Sequence, residues 1–156
     1  MSIRARVEAL GLVLPELTAS KGNYSAWKIS HGFCYISGQS PPVGTEQKPS
    51  PYRGLVGQTV SLDVATEAAI RCALKIVAQA NQALEGDLER IAGIVRLGGF
   101  VAGTSSFEEQ HLVLNGASKL MVELFGERGR HTRTAVGVSS LPLGACLQIE
   151  AMFELT

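Results

Sequence analysis

The sequence has 156 residues, of which 46% are hydrophobic and 18% charged, and its formal net charge at pH 7 is zero. This length suits one domain with a substantial core, and the zero net charge provides no general attraction for nucleic acids, membranes or acidic partners. The cysteines, Cys34, Cys72 and Cys146, lie far apart, which argues against a disulfide framework and fits a reducing compartment. No signal peptide or membrane-spanning stretch is recognisable, so we expect one cytoplasmic domain over residues 1–156.

The first half of the chain predicts a short helix, two strands and a long loop. The helix covers about residues 2–10, where apolar residues recur at helical spacing. Residues 26–30 and 33–37 have strand composition, with His31-Gly32 as the turn between them. Proline and glycine then alternate over residues 38–58, which predicts an irregular segment of the kind that is often functional or mobile.

The second half predicts two longer helices and three strands. Ser61 is a suitable N-cap for a helix that ends near residue 86, and a strand follows over residues 91–101. Ser106 and Glu109 have the spacing of a capping box, which predicts a second helix from there to about residue 126. Two strands, over residues 134–138 and 145–154, complete the chain.

This order of elements predicts an α+β fold. Two helices separate three groups of strands, an arrangement that forms one sheet with both helices on the same face. The other face of such a sheet needs cover, and contact with a second copy of the chain is the simplest way to provide it. We therefore expect a small homo-oligomer.

Few residues in the sequence point to chemistry. We find no phosphate-binding glycine loop, no nucleophile elbow and no paired histidines, so no metal site is expected. Arg133 lies next to a predicted strand, where its planar guanidinium can bind a carboxylate through two hydrogen bonds. The alternative is that Arg128, Arg130 and Arg133 form a solvated turn and pair with Glu123 and Glu127.

Several short motifs, taken together, closely resemble the RidA (YjgF) family of reactive intermediate deaminases, also known as endoribonuclease L-PSP proteins. The resemblance runs from about residue 24 to residue 154 and indicates a diverged, longer branch of the family. It implies a chorismate-mutase-like mixed sheet and a homotrimer with ligand clefts between the subunits. The implied reaction needs no cofactor: enamines or imines such as 2-aminoacrylate are hydrolysed to 2-keto acids and ammonia. The motifs are Ser37-Gly38-Gln39, Asn115, residues 133–138, Leu141-Pro142 and residues 148–151.

The resemblance also implies a set of site residues. Arg133 matches the arginine that holds the substrate carboxylate, and Tyr24, Ser37 and Asn115 match positions that line the cleft. Gln148 stands where the family has a glutamate that orients the attacking water. Glutamine can hold a water by hydrogen bonds but cannot accept its proton near neutral pH.

A second departure is at residue 135, where the family's cysteine is replaced by alanine. Two readings of the site follow: an imine or enamine deaminase, or a binding module that holds a small carboxylate without converting it. The change at Gln148 favours the binding module. An RNA-cleaving protein is the least supported reading, because the sequence has no basic stripe with stacking aromatic residues.

Overall fold

A computed structural model describes residues 1–19 and 22–156 of the chain. After the first helix, the order of strands and longer helices is the predicted one. No helix in the described residues combines the length and the apolar character needed to cross a membrane. The elements are α1 (Ile3–Ala9), β1 (Trp27–Ser30), β2 (Phe33–Gln39), α2 (Leu62–Ala83), β3 (Ile91–Ala102), α3 (Gln110–Phe125), β4 (Thr132–Val138) and β5 (Leu147–Leu155), with short 3-10 turns at Leu88–Arg90, Gly126–Gly129 and Pro142–Gly144.

Local hydrogen bonds explain where two helices begin. The Oγ atom of Ser2 accepts from the backbone N–H of Ala5, and that of Ser61 accepts from Val64, each over 3.2 Å. Such bonds satisfy N–H groups that have no partner within the first turn of a helix. The predicted N-cap at Ser61 is confirmed.

The predicted capping box before α3 is wrong. The helix begins only after Glu109, and the side chain of Glu109 makes no capping bond. A preceding turn is closed by the N–H of Phe107, which donates to the carbonyl of Thr104 over 3.1 Å. The Oγ atom of Ser106 lies 3.3 Å from Oγ1 of Thr104, within this turn. The backbone therefore forms a separate turn in the segment where the sequence pattern predicted the first helical residues.

The five strands form one mixed sheet in the order β1-β2-β5-β3-β4. All neighbouring pairs are antiparallel except β3 and β4, which are parallel. His31 and Gly32 join β1 to β2 with φ angles of 49° and 78°, as a tight hairpin turn requires. Relative to prediction, β4 begins two residues earlier, at Thr132, and β5 begins two residues later, at Leu147.

Helices α2 and α3 pack on the same face of the sheet, which confirms the α+β fold class. Residues that alternate along the strands, such as Ile36, Leu97 and Phe153, are buried beneath the helices. The opposite face is open, and its Tyr35 and Val136 are 46% and 40% exposed.

The segment after β2 is anchored to the core. Strand β2 takes residues 38 and 39, and the irregular part that follows includes the buried residues Tyr52 and Val56. The hydroxyl of Tyr52 donates to Oε1 of Glu67 on α2 over 2.7 Å. The backbone of Arg53 also forms a β-bridge with Ala145. These contacts attach residues 52–56 to the core, whereas residues 44–49 are exposed.

Candidate carboxylate-binding site

Arg133 is fixed against α3 by three hydrogen bonds. The residue is half-buried on β4, the edge strand, and its side chain lies on the helix-covered side of the sheet. Its Nη1 atom donates to Oδ1 of Asn115 over 2.9 Å and to Oγ of Ser118 over 3.1 Å. Its Nη2 atom donates to the carbonyl of His111 over 3.1 Å. The guanidinium plane is thus held in one orientation.

The acceptors around Arg133 are all neutral. Within residues 1–19 and 22–156, no carboxylate forms an ion pair with it. The alternative of a paired turn holds for Arg130, whose Nε lies 3.1 Å from Oε2 of Glu127, while Arg128 pairs with Glu89. A guanidinium has five N–H donors, so those on Nε and the second one on Nη2 are left for an anion. Arg133 therefore has both the charge and the geometry to bind a carboxylate.

His131 and Ser118 form a chain of hydrogen bonds that ends at the guanidinium of Arg133. Oγ of Ser118 lies 3.0 Å from Nε2 of His131, and Nδ1 of His131 lies 2.6 Å from the carbonyl of Gly129. A carbonyl can only accept, so Nδ1 carries the proton and Nε2 accepts from the Ser118 hydroxyl. This leaves a lone pair of the Ser118 oxygen directed at Arg133.

Burial favours the neutral form of His131. Removal from water lowers the pKa of His131, the bond to the Gly129 carbonyl opposes that effect, and the nearby charge of Arg133 lowers the pKa further. The neutral form is the one that can accept from Ser118. His131, Ser118, Asn115 and Arg133 also line one surface cavity of about 390 Å³.

The residues that accept hydrogen bonds from Arg133 all lie on one side of α3. His111, Asn115 and Ser118 are spaced four and three residues apart, which places them on one side of α3. Sequence reasoning identified Asn115 alone and missed the roles of Ser118 and His131. The helical spacing of these polar residues was a signal that they share one side of α3. Their contact with β4 depends on tertiary packing, which the sequence pattern does not show.

The other predicted site residues gather around a bulge in β2. Ile36 pairs with Ala151 and Gln39 pairs with Ile149, so β2 has one extra residue between these pairs, at Ser37-Gly38. The Oγ atom of Ser37 donates to the carbonyl of Ser25 over 2.7 Å.

Gly38 allows Gln148 and Tyr24 to lie close to the bulge. A Cβ atom at Gly38 would come within 2.6 Å of Nε2 of Gln148, so the amide of Gln148 rests on this glycine. Tyr24 is 60% exposed and lines the same cavity as Gly38. Tyr24, Ser37 and Gln148 therefore form one group, which we call the bulge group.

The sheet keeps the bulge group apart from Arg133 and Asn115. Strands β5 and β3 lie between β2 and β4, so Ser37 and Arg133 are three strand spacings apart. At about 4.8 Å per spacing, this separation is roughly 14 Å. Gln148 also lies on the open face, whereas Arg133 lies on the helix-covered side. One chain alone does not assemble the predicted set into a single site.

The described residues offer no clear place for a metal ion. In the ranges 1–19 and 22–156, no three His, Cys, Asp or Glu side chains are grouped so that they could hold one. The cysteines at positions 34, 72 and 146 are buried, and burial raises the pKa of each thiol.

Protonation of His131 should remove the acceptor for the Ser118 hydroxyl and so weaken the hydrogen bonds that support Arg133. Its pKa in the fold lies below the ordinary value of 6.5, so the stabilisation is present above the unfolded pKa and is lost as pH falls through the folded pKa. Between about pH 7 and pH 5, urea unfolding should therefore show a larger loss of unfolding free energy for the wild type than for His131→Asn. Parallel losses in the two proteins would contradict this role.

Comparison with known proteins agrees with the fold and the motifs. Residues 4–155 match the family model described as "YjgF/chorismate mutase-like, putative endoribonuclease". Protein TCP17 of Trypanosoma cruzi is 40% identical over 156 residues, which cover 98% of this chain and 94% of that protein.

Two solved structures are similar over nearly their whole length. The protein Atu1372 of Agrobacterium tumefaciens, whose function is unknown, has 44% identity and a TM-score of 0.87, with 99% of this chain and 94% of that chain covered. A "putative endoribonuclease" from Shewanella oneidensis has 34% identity and a TM-score of 0.91, with 99% and 100% covered. The family match, the mixed sheet and the motifs around Ser37 and Arg133 together show that the chain belongs to the YjgF/RidA family of endoribonuclease L-PSP-like proteins.

Proposed function

We propose that this protein hydrolyses small enamine or imine intermediates related to 2-aminoacrylate, releasing 2-keto acids and ammonia. The observation that carries the proposal is the guanidinium of Arg133, which is oriented by three neutral acceptors and has no carboxylate partner among the described residues. Membership of the YjgF/RidA family supports the same substrate class.

The reaction needs little activation by the protein. The carboxylate of the substrate binds Arg133, which fixes the position of the neighbouring imine carbon. An enamine first moves a proton from its nitrogen to its terminal carbon, which gives the imine. Water then adds to the imine carbon and a proton passes to the nitrogen. As the new hydroxyl gives its proton to the nitrogen, the carbon–nitrogen bond breaks, which leaves the keto acid and ammonia. Gln148 can hold the attacking water through its amide but cannot serve as the base. The chemistry uses no cofactor, and three buried free cysteines fit a reducing cytoplasm.

The proposed site lies between subunits of a homotrimer. Arg133 is at the β4 edge of the sheet, and the bulge group is near the opposite edge, so a head-to-tail contact would bring them together across two chains. Repeating such a contact closes a ring. The open sheet face, with exposed Tyr35 and Val136, is available for burial in the same assembly.

A binding module is the second candidate, and the replacement of the family's glutamate by Gln148 is the observation in its favour. The site would then hold a keto acid or a similar metabolite without converting it. RNA cleavage has less support, because Arg128 and Arg130 of the basic cluster are paired with Glu89 and Glu127.

The trimer can be tested by native mass spectrometry. One chain has a mass of 16.5 kDa, so the expected assembly has a mass of about 50 kDa. Replacing Val136 on the open face by Lys should shift the population towards monomers, because a buried unpaired charge opposes association. A wild-type protein that remains monomeric or dimeric at micromolar concentration would exclude the trimer.

The reaction can be tested in an assay coupled to a serine or threonine dehydratase, which generates the enamine in place. Wild type should accelerate keto-acid formation, and Arg133→Ala should reduce kcat/KM by about 100-fold or more because two charge-assisted hydrogen bonds are lost. Arg133→Lys should recover only part of the activity, since lysine keeps the charge but lacks the planar fork.

The control for the coupled assay is Arg90→Ala, which removes the same charge at an exposed position away from Arg133. Arg90→Ala should have the same kcat/KM as the wild type in this assay. Equal activity of Arg133→Ala and Arg90→Ala would refute the role of Arg133. Carboxylate binding by a wild type that accelerates nothing would establish the binding module instead.

A further inference from the structure

One charged side chain lines the cavity beside the bulge group. This cavity has a volume of about 400 Å³ and extends from Tyr24 and Gly38 to Lys75 on helix α2. Among the described residues that line it, no other carries a charge and none is acidic. Because Tyr24 belongs to the bulge group, the cavity forms part of the cleft that we propose for the substrate. Lys75 gives this cleft a second positive charge, in addition to that of Arg133.

Lys75 is held by a neutral acceptor. Its Nζ atom donates to the carbonyl of Ser40 over 3.1 Å. An ammonium group has three N–H donors, so two of them remain for another partner. Over residues 1–19 and 22–156, no carboxylate forms an ion pair with Lys75. Lys75 therefore shares with Arg133 a fixed position and a charge that no carboxylate of the described chain neutralises.

The position of Lys75 makes an unpaired charge unfavourable. The residue is half-buried, and closure of the cleft by a second subunit would remove its ammonium group further from water. A charge that leaves water without an opposite charge is costly. A neutral N–H donor would serve the Ser40 carbonyl without this cost, so that hydrogen bond alone does not account for a lysine. A bound anion would supply the missing partner.

A substrate with a single carboxylate leaves Lys75 without this partner. In 2-aminoacrylate the carboxylate is the group that Arg133 binds, and the remaining nitrogen and methylene carry no negative charge. A second carboxylate at the far end of the substrate would pair with Lys75 and would be held by a charge-assisted hydrogen bond. Few but well-placed polar groups of this kind determine which ligand a cleft accepts.

We propose that the cleft selects imines of dicarboxylic amino acids, such as 2-iminosuccinate. Arg133 of a neighbouring subunit binds the carboxylate next to the imine carbon, and Lys75 binds the distal carboxylate. Water replaces the nitrogen by the steps given above, so 2-iminosuccinate and water yield oxaloacetate and ammonia. This inference rests on the proposed function for the reaction and adds the class of substrate.

Succinate and succinamate test the selectivity without any reaction. Both have one carboxylate for Arg133, and they differ in the distal group, which is a second carboxylate in succinate and a neutral amide in succinamate. In isothermal titration calorimetry, the wild type should bind succinate about tenfold or more tightly than succinamate, because only succinate offers Lys75 an opposite charge.

Variants of Lys75 show whether this residue is responsible. Lys75→Gln keeps a neutral N–H donor for the Ser40 carbonyl and should lose the preference for succinate, whereas Lys75→Arg keeps the charge and should retain most of it. Lys48→Met is the control, because it removes a lysine charge at an exposed position outside the cavity, and it should match the wild type. Urea unfolding of each variant checks that it is folded.

Three outcomes of the calorimetry would overturn the inference. They are equal binding of the two compounds by the wild type, no binding of succinate, and a preference for succinate that is unchanged in Lys75→Gln.

A kinetic assay separates this inference from the proposed function. Amino acid oxidases, with oxygen as the oxidant, generate 2-iminosuccinate from D-aspartate and 2-iminopropionate from D-alanine. The wild type should have the higher kcat/KM for 2-iminosuccinate, and Lys75→Gln should lower the ratio of the two values about tenfold. The same ratio in both proteins would overturn the inference and leave the proposed reaction in place. Acceleration of neither reaction, together with a preference for succinate that depends on Lys75, would refute the proposed reaction alone.

Discussion

The positive charge of Arg133 is held at the edge of the sheet by acceptors that do not neutralise it. Asn115, Ser118 and the His111 carbonyl fix the guanidinium plane but leave its charge and two N–H donors for another partner. Neutral His131 supports this arrangement, because its Nε2 atom accepts a hydrogen bond from the Ser118 hydroxyl and leaves the hydroxyl oxygen to accept from Arg133. The helix α3 and the edge strand β4 thus hold the guanidinium in an orientation that would need little reorganisation to bind the proposed carboxylate.

The strand order determines which residues of the same chain can lie close to Arg133. Strands β5 and β3 separate Ser37 from Arg133, and β3 separates Gln148 from it, so the residues expected to share one cleft lie on different parts of a chain. Only a neighbouring copy can bring the β4 edge to the bulge of β2. Oligomerisation and activity are therefore linked in this account.

Much of this fold follows from local sequence patterns. The helix start at Ser61 and the hairpin turn at His31 depend on neighbouring residues, and both were predicted correctly. The capping box at Ser106 failed because a turn closed by Phe107 occupies those residues. In the site, Arg133 could be identified from its motif, but its partners depend on the packing of α3 against β4. The bulge at Ser37-Gly38 breaks the alternation of β2, so no periodicity of the sequence reveals it.

Mixed oligomers test the central claim most directly, namely that Arg133 of one subunit and Gln148 of another form one site. Arg133→Ala and Gln148→Leu would be produced separately, shown to be inactive in the coupled assay, and then co-expressed with different tags so that mixed oligomers can be purified. If the site lies between subunits, random mixing restores about a quarter of the wild-type sites, and activity should return to about that level. Verified mixed oligomers that remain inactive would contradict the account.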